Sequence, residues 1–268
     1  MKQVVTLHST KGRKEAGQFL VEGKRFVQEA LERNAKITRI YYCSDIKELQ
    51  DDNSYNFKQY LSVANLVEQA HKEQIPVEEV TETVMRKIST TKEPQRILAI
   101  AAKGEYDWKD IDLEKKDILL IVDEIQDPGN LGTILRTALA ADVRNIVLTK
   151  GTVDIYNTKV LRSSMGAIFS LKILTDKIPE EITNFCKTNN YSLTISTMEG
   201  TSIYNEKISG NIPLALVVGN EAFGSAKIFH QEADKKLSIP MFNTVESLNV
   251  AIAAGIFLFE IRRQLRFL

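Results

Sequence analysis

The chain has 268 residues, 43% apolar and 26% charged, proportions near the globular average that exclude wholesale disorder and a collagen-like fibre. Lys plus Arg and Asp plus Glu each number 35, so there is no blanket of positive charge, although a local basic patch stays open. Two cysteines, Cys43 and Cys186, cannot build a disulfide framework, no Cys or His cluster has metal-ligand spacing, and no metal is expected. Residues 1–6 lack a signal-peptide core and no apolar run reaches the roughly 18 residues of a membrane span, so a soluble cytoplasmic protein without membrane partners is expected.

Charge is unevenly spread. Residues 1–40 hold nine Lys/Arg against four Asp/Glu, whereas residues 41–90 hold five against nine. Lys11, Arg13, Lys14, Lys24 and Arg25, set among Gly12, Gly17 and Gly23, are candidates to reach phosphates; a solvated helix face is the competing reading. Within this part, residues 19–21 read as a strand, 24–31 as an amphipathic helix, 37–42 as a strand, 61–71 as a helix and 96–101 as a strand. The polar stretch around Trp108 divides the chain into a domain over 1–103, a linker over 104–116 and a second domain over 117–268.

The second domain alternates more clearly. Apolar runs at 118–122, 146–148, 193–195 and 214–218 read as strands buried on both faces, separated by helices at 131–141, 157–166, 179–189 and 247–266. That order predicts an α/β fold with a mostly parallel sheet and helices on both faces. Ligands in such sheets bind at the carboxyl ends of the strands.

Three segments occupy such positions. The first is Asp127-Pro128-Gly129-Asn130-Leu131-Gly132-Thr133-Ile134-Leu135-Arg136, in which Asn130 suits a helix N-cap. Arg136 falls about 130° from the centre of the apolar stripe, beside small Gly132 and Ala140. The second is Gly219-Asn220-Glu221-Ala222-Phe223-Gly224. The third runs from Ile239-Pro240-Met241-Phe242-Asn243 to Glu246-Ser247-Leu248-Asn249-Val250, where Ser247 and Asn249 open a helix apolar nearly all round; Ser247 reads as a simple N-cap or as part of an anion site at the helix start. Neither G-x-G-x-x-G nor a P-loop occurs, which disfavours a Rossmann dinucleotide site and a nucleoside triphosphatase.

Together and in this order, the three segments resemble the motifs of the SpoU (TrmH-like) branch of the SPOUT RNA methyltransferases. Asn157-Thr158-Lys159-Val160-Leu161-Arg162-Ser163-Ser164-Met165-Gly166-Ala167 is similar to that family's basic segment. Arg13-Lys14-Glu15, Phe19-Leu20-Val21-Glu22-Gly23 and Pro94-Gln95 are similar to the α/β substrate-binding domain that many members carry. The resemblance implies a deep trefoil knot, a homodimer sharing its active site across the interface, and S-adenosylmethionine as methyl donor to a ribose 2′-hydroxyl of RNA. Ribosomal RNA is favoured over transfer RNA. A base-nitrogen methyltransferase and a catalytically silent RNA-binding assembly factor remain as alternatives.

By the same resemblance Gly219, Ile239 and Leu248, with Met241 and Thr197, line the cofactor pocket. Arg136 acts on the 2′-hydroxyl either as a general base, as the resemblance implies, or as a clamp for phosphate and developing alkoxide, which is favoured because a guanidinium is not a neutral base at pH 7. Asn130 and Asn249 orient ribose and Arg136, Glu221 holds Arg136 or the substrate, and Ser247 anchors phosphate. Asn243 departs from the family, where glycine is common. Few basic residues lie near the last motifs, which shifts RNA affinity onto residues 11–39.

Overall fold

The computed structural model describes residues 2–44, 62–91, 93–111, 113, 118–244 and 247–266. Expectations that fall on residue 61, on 112 and 114–116 of the linker, on residue 117 of the second domain, or on Val245 and Glu246 of the third motif lie outside the described residues. The chain forms two compact units: 1–103 with Tyr156–Arg162, and Gly104–Ile155 with 163–268.

In the first unit, a four-stranded sheet has the order β1-β4-β2-β3, with β1 (Gln18–Glu22), β2 (Ile37–Tyr42), β3 (Val77–Glu79) and β4 (Ile97–Ala102). β4 lies antiparallel to both β1 and β2, and β3 is parallel to β2. Its alternating side chains feed two cores. Leu20, Tyr41, Leu98 and Ile100 meet Val4 and Leu7 of the N-terminal turn and Met85 and Ile88 of the helix at Glu82–Ile88. Helices at Lys24–Glu32 and Val63–Lys72 bury Val27, Ala30, Leu31, Leu66 and Ala70. Tyr156 belongs to this unit, its ring 4.5 Å from that of Phe19 and under the Lys103 ammonium. The 157–166 helix was expected in the second domain; it spans Thr158–Ser164, and its residues through Arg162 group with the first unit.

The second unit holds six parallel strands in the order β10-β8-β9-β5-β6-β7. They are β5 (Ile118–Val122), β6 (Asn145–Thr149), β7 (Lys172–Lys177), β8 (Ser192–Ser202), β9 (Leu214–Val218) and β10 (Lys235–Ser238). β5, β6 and β9 are buried throughout, as strands covered on both faces must be. One face packs Leu119, Ile121, Val147, Leu193 and Val217 against Ile182 and Cys186 of the helix at Pro179–Thr188 and Phe229 of the helix at Lys227–Glu232. Burial, reinforced by the Asp234 charge, pushes the Cys186 thiol up to about 12, so this cysteine is packing material. Trp108, expected in the linker, stacks on Phe185 at 4.3 Å within the second unit. Two further helices, the sixth and tenth α-helices in chain order, are α6 (Pro128–Ala140) and α10 (Val250–Arg266), which pack on each other.

β8 lies between β10 and β9. Residues 192–195 pair with β9, whereas β10 pairs first with Thr194 and Ile195 and then, after a register shift, with Thr201 and Ser202. Gly200 makes this possible, because a Cβ there would lie 2.6 Å from the Lys236 carbonyl oxygen. Thr197 and Met198 project from the bulged stretch between these pairings.

Candidate active site

α6 begins with Asp127, not Asn130, as its cap: the Asp127 carboxylate accepts the Asn130 N–H at 2.8 Å, and Pro128 occupies the first turn. This corrects the expectation for Asn130 and frees its side chain. α10 likewise starts at Val250, where Asn249 rather than Ser247 is the cap. Asn249 Oδ1 accepts the N–H groups of Ala251 and Ile252 at 3.0 and 3.4 Å.

The freed amides join all three motif segments. Asn249 Nδ2 donates to Asn130 Oδ1 at 2.9 Å, and Asn130 Nδ2 donates to Glu221 Oε1 at 2.8 Å. Chemistry sets the direction of this chain from both ends. Helix N–H groups can only donate, so Asn249 must turn its oxygen to them and its NH2 toward Asn130. A carboxylate can only accept, so Asn130 must give its NH2 to Glu221. Both side-chain amides are therefore oriented, and Glu221 is held by its Oε1 alone among the described residues.

Glu221 sits in a tight turn following β9. Asn220 and Gly224 exchange backbone hydrogen bonds at 2.9 and 3.0 Å. Asn220 Oδ1 accepts from the Ala222 and Phe223 N–H groups, and its Nδ2 donates to the Glu124 carbonyl at 2.8 Å. Gly219 lets this turn fold back on the strand end, since a Cβ would lie 2.3 Å from the Ser225 nitrogen.

Asp123, a residue to which the motif reading gave no role, braces the same region. It is 2% exposed at the carboxyl end of β5. One oxygen accepts the Thr149 hydroxyl at 2.8 Å and the other the Ala226 N–H at 2.7 Å. Its position directly after the apolar run 118–122 was the available signal.

Arg136 is exposed and makes no hydrogen bond or ion pair among the described residues. Six residues past Asn130, it lies about 9 Å along the helix and about 120° around it. Glu221 therefore holds Asn130, and the expected Glu221–Arg136 contact is absent among the described residues. Ile239, Met241, Leu248 and Thr197 are half-buried near the carboxyl ends of β8 and β10 and before α10, and Ser247 is exposed.

Of the expected RNA-contacting cations, Arg13 is 4% exposed and donates to the carbonyls of Leu7 and His8 and to the Thr10 hydroxyl. It ties the first two helical turns together and is inaccessible to a phosphate. Lys11 pairs loosely with Glu15 at 3.8 Å, Lys14 and Arg25 are exposed, and Lys24 is half-buried.

Comparison with known proteins agrees with this geometry. The profile of the SpoU rRNA Methylase family matches residues 117–259, and that of the MRM3-like substrate binding domain matches residues 1–99. The chain belongs to the SpoU rRNA methylase family. It is 30% identical over 256 residues to the 23S rRNA (guanosine(2553)-2′-O)-methyltransferase RlmP of Bacillus subtilis (strain 168), covering 96% of this chain and 93% of that protein. It is 28% identical to the mitochondrial rRNA methyltransferase 3 of Homo sapiens, over 95% of this chain and 69% of that one. The crystal structure of the AdoMet-bound rRNA methyltransferase from Sinorhizobium meliloti superposes with a TM-score of 0.81 at 29% identity, covering 98% of this chain and 93% of that chain. Among the described residues of this SpoU chain, no group of His, Cys, Asp and Glu could hold a metal ion. No helix among the described residues is long and apolar enough to cross a membrane.

Proposed function

We propose that this chain transfers a methyl group from S-adenosylmethionine to a ribose 2′-hydroxyl of ribosomal RNA. The observation that carries this reading is the chain Asn249–Asn130–Glu221, which links three separated motif segments by two hydrogen bonds. The cofactor fits the surroundings. Ile239, Met241 and Leu248 leave apolar surface uncovered near the strand ends, and Gly219 lets the turn after β9 fold back on its strand end. Thr197, Gly219, Ile239, Met241 and Leu248 would hold it, in the deep trefoil knot implied by the family. When bound, the cofactor supplies a methyl group already activated on a sulfonium.

The chain's residues then have to position the acceptor and ease its deprotonation. Glu221 Oε2, free among the described residues, accepts a hydrogen bond from a ribose hydroxyl. Asn130 and Asn249 hold that carboxylate at a fixed orientation. Arg136 forks onto the adjoining phosphate and stabilises the developing alkoxide, while phosphate or water takes the proton. Ser247 donates to the same phosphate. Positioning of this kind is worth several kcal/mol. Arg136 lies on another face of α6 from Asn130, which suits an active site shared across a homodimer. Ile252 and Phe259, exposed seven residues apart on one side of α10, support that assembly. Lys11, Lys14, Lys24 and Arg25 contribute phosphate contacts from the first unit, and the free thiols Cys43 and Cys186 suit a cytoplasmic setting.

The test is transfer of labelled methyl to unmodified, in vitro-transcribed ribosomal RNA, followed by alkaline hydrolysis. An alkali-resistant linkage is expected from the wild type, and about 100-fold or more slower transfer from Arg136→Ala and from Asn130→Asp. Asn130→Asp faces the Glu221 carboxylate with a second one and loses the donor. An alkali-labile product would turn the assignment to base methylation, and no product would turn it to an RNA-binding factor.

A further inference from the structure

Phe223 is the most exposed large apolar side chain among the described residues, at 90%. An aromatic ring standing in water beside a candidate site presents a face that a ligand bound there can cover. Its backbone is not loose. The Asn220–Gly224 bridge closes the turn beneath it, Asn220 Oδ1 accepts the Phe223 N–H at 3.2 Å, and Asn220 Nδ2 donates to the Glu124 carbonyl at 2.8 Å. Asp123 pins the outgoing segment at Ala226, the cap of the helix Lys227–Glu232, at 2.7 Å. The ring is thus displayed on a fixed frame with only its two side-chain torsions to immobilise, so little ordering is lost when something covers it.

Its neighbour defines what that something is. Glu221 lies two residues earlier in the same turn, at most about 7 Å away between Cα atoms. On the reading above, Glu221 meets a ribose hydroxyl, and the flat apolar surface within that reach of a ribose is a nucleobase. Phenyl rings accept any base by its π-face, without a hydrogen-bond code.

We propose that Phe223 stacks on a nucleobase of the RNA at the target ribose and so holds that ribose against Glu221. This rests on the proposed ribose methylation, and the measurements separate the two. Phe223→Ala, Phe223→Leu and Phe223→Trp are compared with wild type on unmodified, in vitro-transcribed ribosomal RNA. Methyl transfer, affinity for a fluorescein-labelled fragment of that RNA, affinity for S-adenosylmethionine and molecular mass by light scattering are all measured.

The expected result is that Phe223→Ala raises KM and Kd for RNA by about 5- to 150-fold, the range for one lost base stack. Cofactor affinity, mass and melting temperature stay at wild-type values. Phe223→Trp keeps the affinity and Phe223→Leu, apolar but without a π-face, does not. Unchanged RNA affinity in Phe223→Ala, full recovery by Phe223→Leu, a loss confined to cofactor binding, or a change of mass would each overturn the stacking role. If wild type binds the RNA but transfers nothing to it, ribose methylation fails while the stacking comparison is still read from the Kd values.

Discussion

At the residue scale, two charged side chains of the first unit differ in what they hold together. Glu22 ends β1 and receives Ser89 Oγ, Thr91 Oγ1, and both the N–H and the hydroxyl of Thr90, at 3.0 and 2.6 Å for the last pair. Burial pushes its carboxyl up, yet these donors outweigh burial and hold it below its ordinary value of 4.5. A depressed folded-state pKa adds stability that is fully present above the unfolded value and is lost as pH falls through the folded one. Glu22→Gln should therefore cost about 1–3 kcal/mol at pH 7 and flatten the acid limb of the stability curve below about pH 4.5. Urea unfolding from pH 3 to 7 checks it; parallel curves for both proteins would refute the network's role. Arg13, by contrast, looked like a phosphate ligand because sequence shows charge and neighbours but not depth. Asn243 shows the converse. Its φ is +64°, the left-handed region that glycine enters freely and asparagine tolerates, which explains why this departure from the family leaves the loop intact.

At the element scale, legibility followed burial. β5 and β9 match the expected 118–122 and 214–218, since a strand covered on both faces writes an unbroken apolar run. β3, β7 and β10 went unread. Each lies at a sheet edge and buries few residues, Ile173 and Leu174 in β7 and Leu237 in β10, so no periodic signal exists. The three motif segments were legible as a set, but their hydrogen bonding was not: Asn130 and Asn249 exchanged the expected roles of cap and free side chain. That choice depended on Asp127 and on partners 91 and 119 residues away. For α10, Ile252→Asp combined with Phe259→Asp places two charges on its exposed side. If that side is the proposed dimer contact, light scattering should show the mass halved, with methyl transfer lost and the monomer still folded by circular dichroism. A double variant of unchanged mass would exclude that contact.

At the scale of the whole molecule, the 35 basic and 35 acidic residues cancel, so RNA affinity must come from few local cations. Each phosphate contact removed should flatten the dependence of log affinity on log salt by about 0.7–0.9. Arg25→Ala and Lys14→Ala should each show that flattening at little cost in stability. Arg13→Met should lower stability while leaving the slope unchanged, because its guanidinium is committed to Leu7, His8 and Thr10. A reduced slope in Arg13→Met would return it to the RNA surface.

The bond between Asn249 and Asn130 also sets a timetable for biosynthesis. The two partners lie 119 positions apart, so at about 5–20 residues per second the ribosome makes the second roughly 6–24 s after the first. Until then Asn130 lacks one of its two partners, and a nascent polypeptide can fold its first unit long before it is competent for chemistry. Fragments halted ahead of Asn249 should consequently occupy RNA without modifying it.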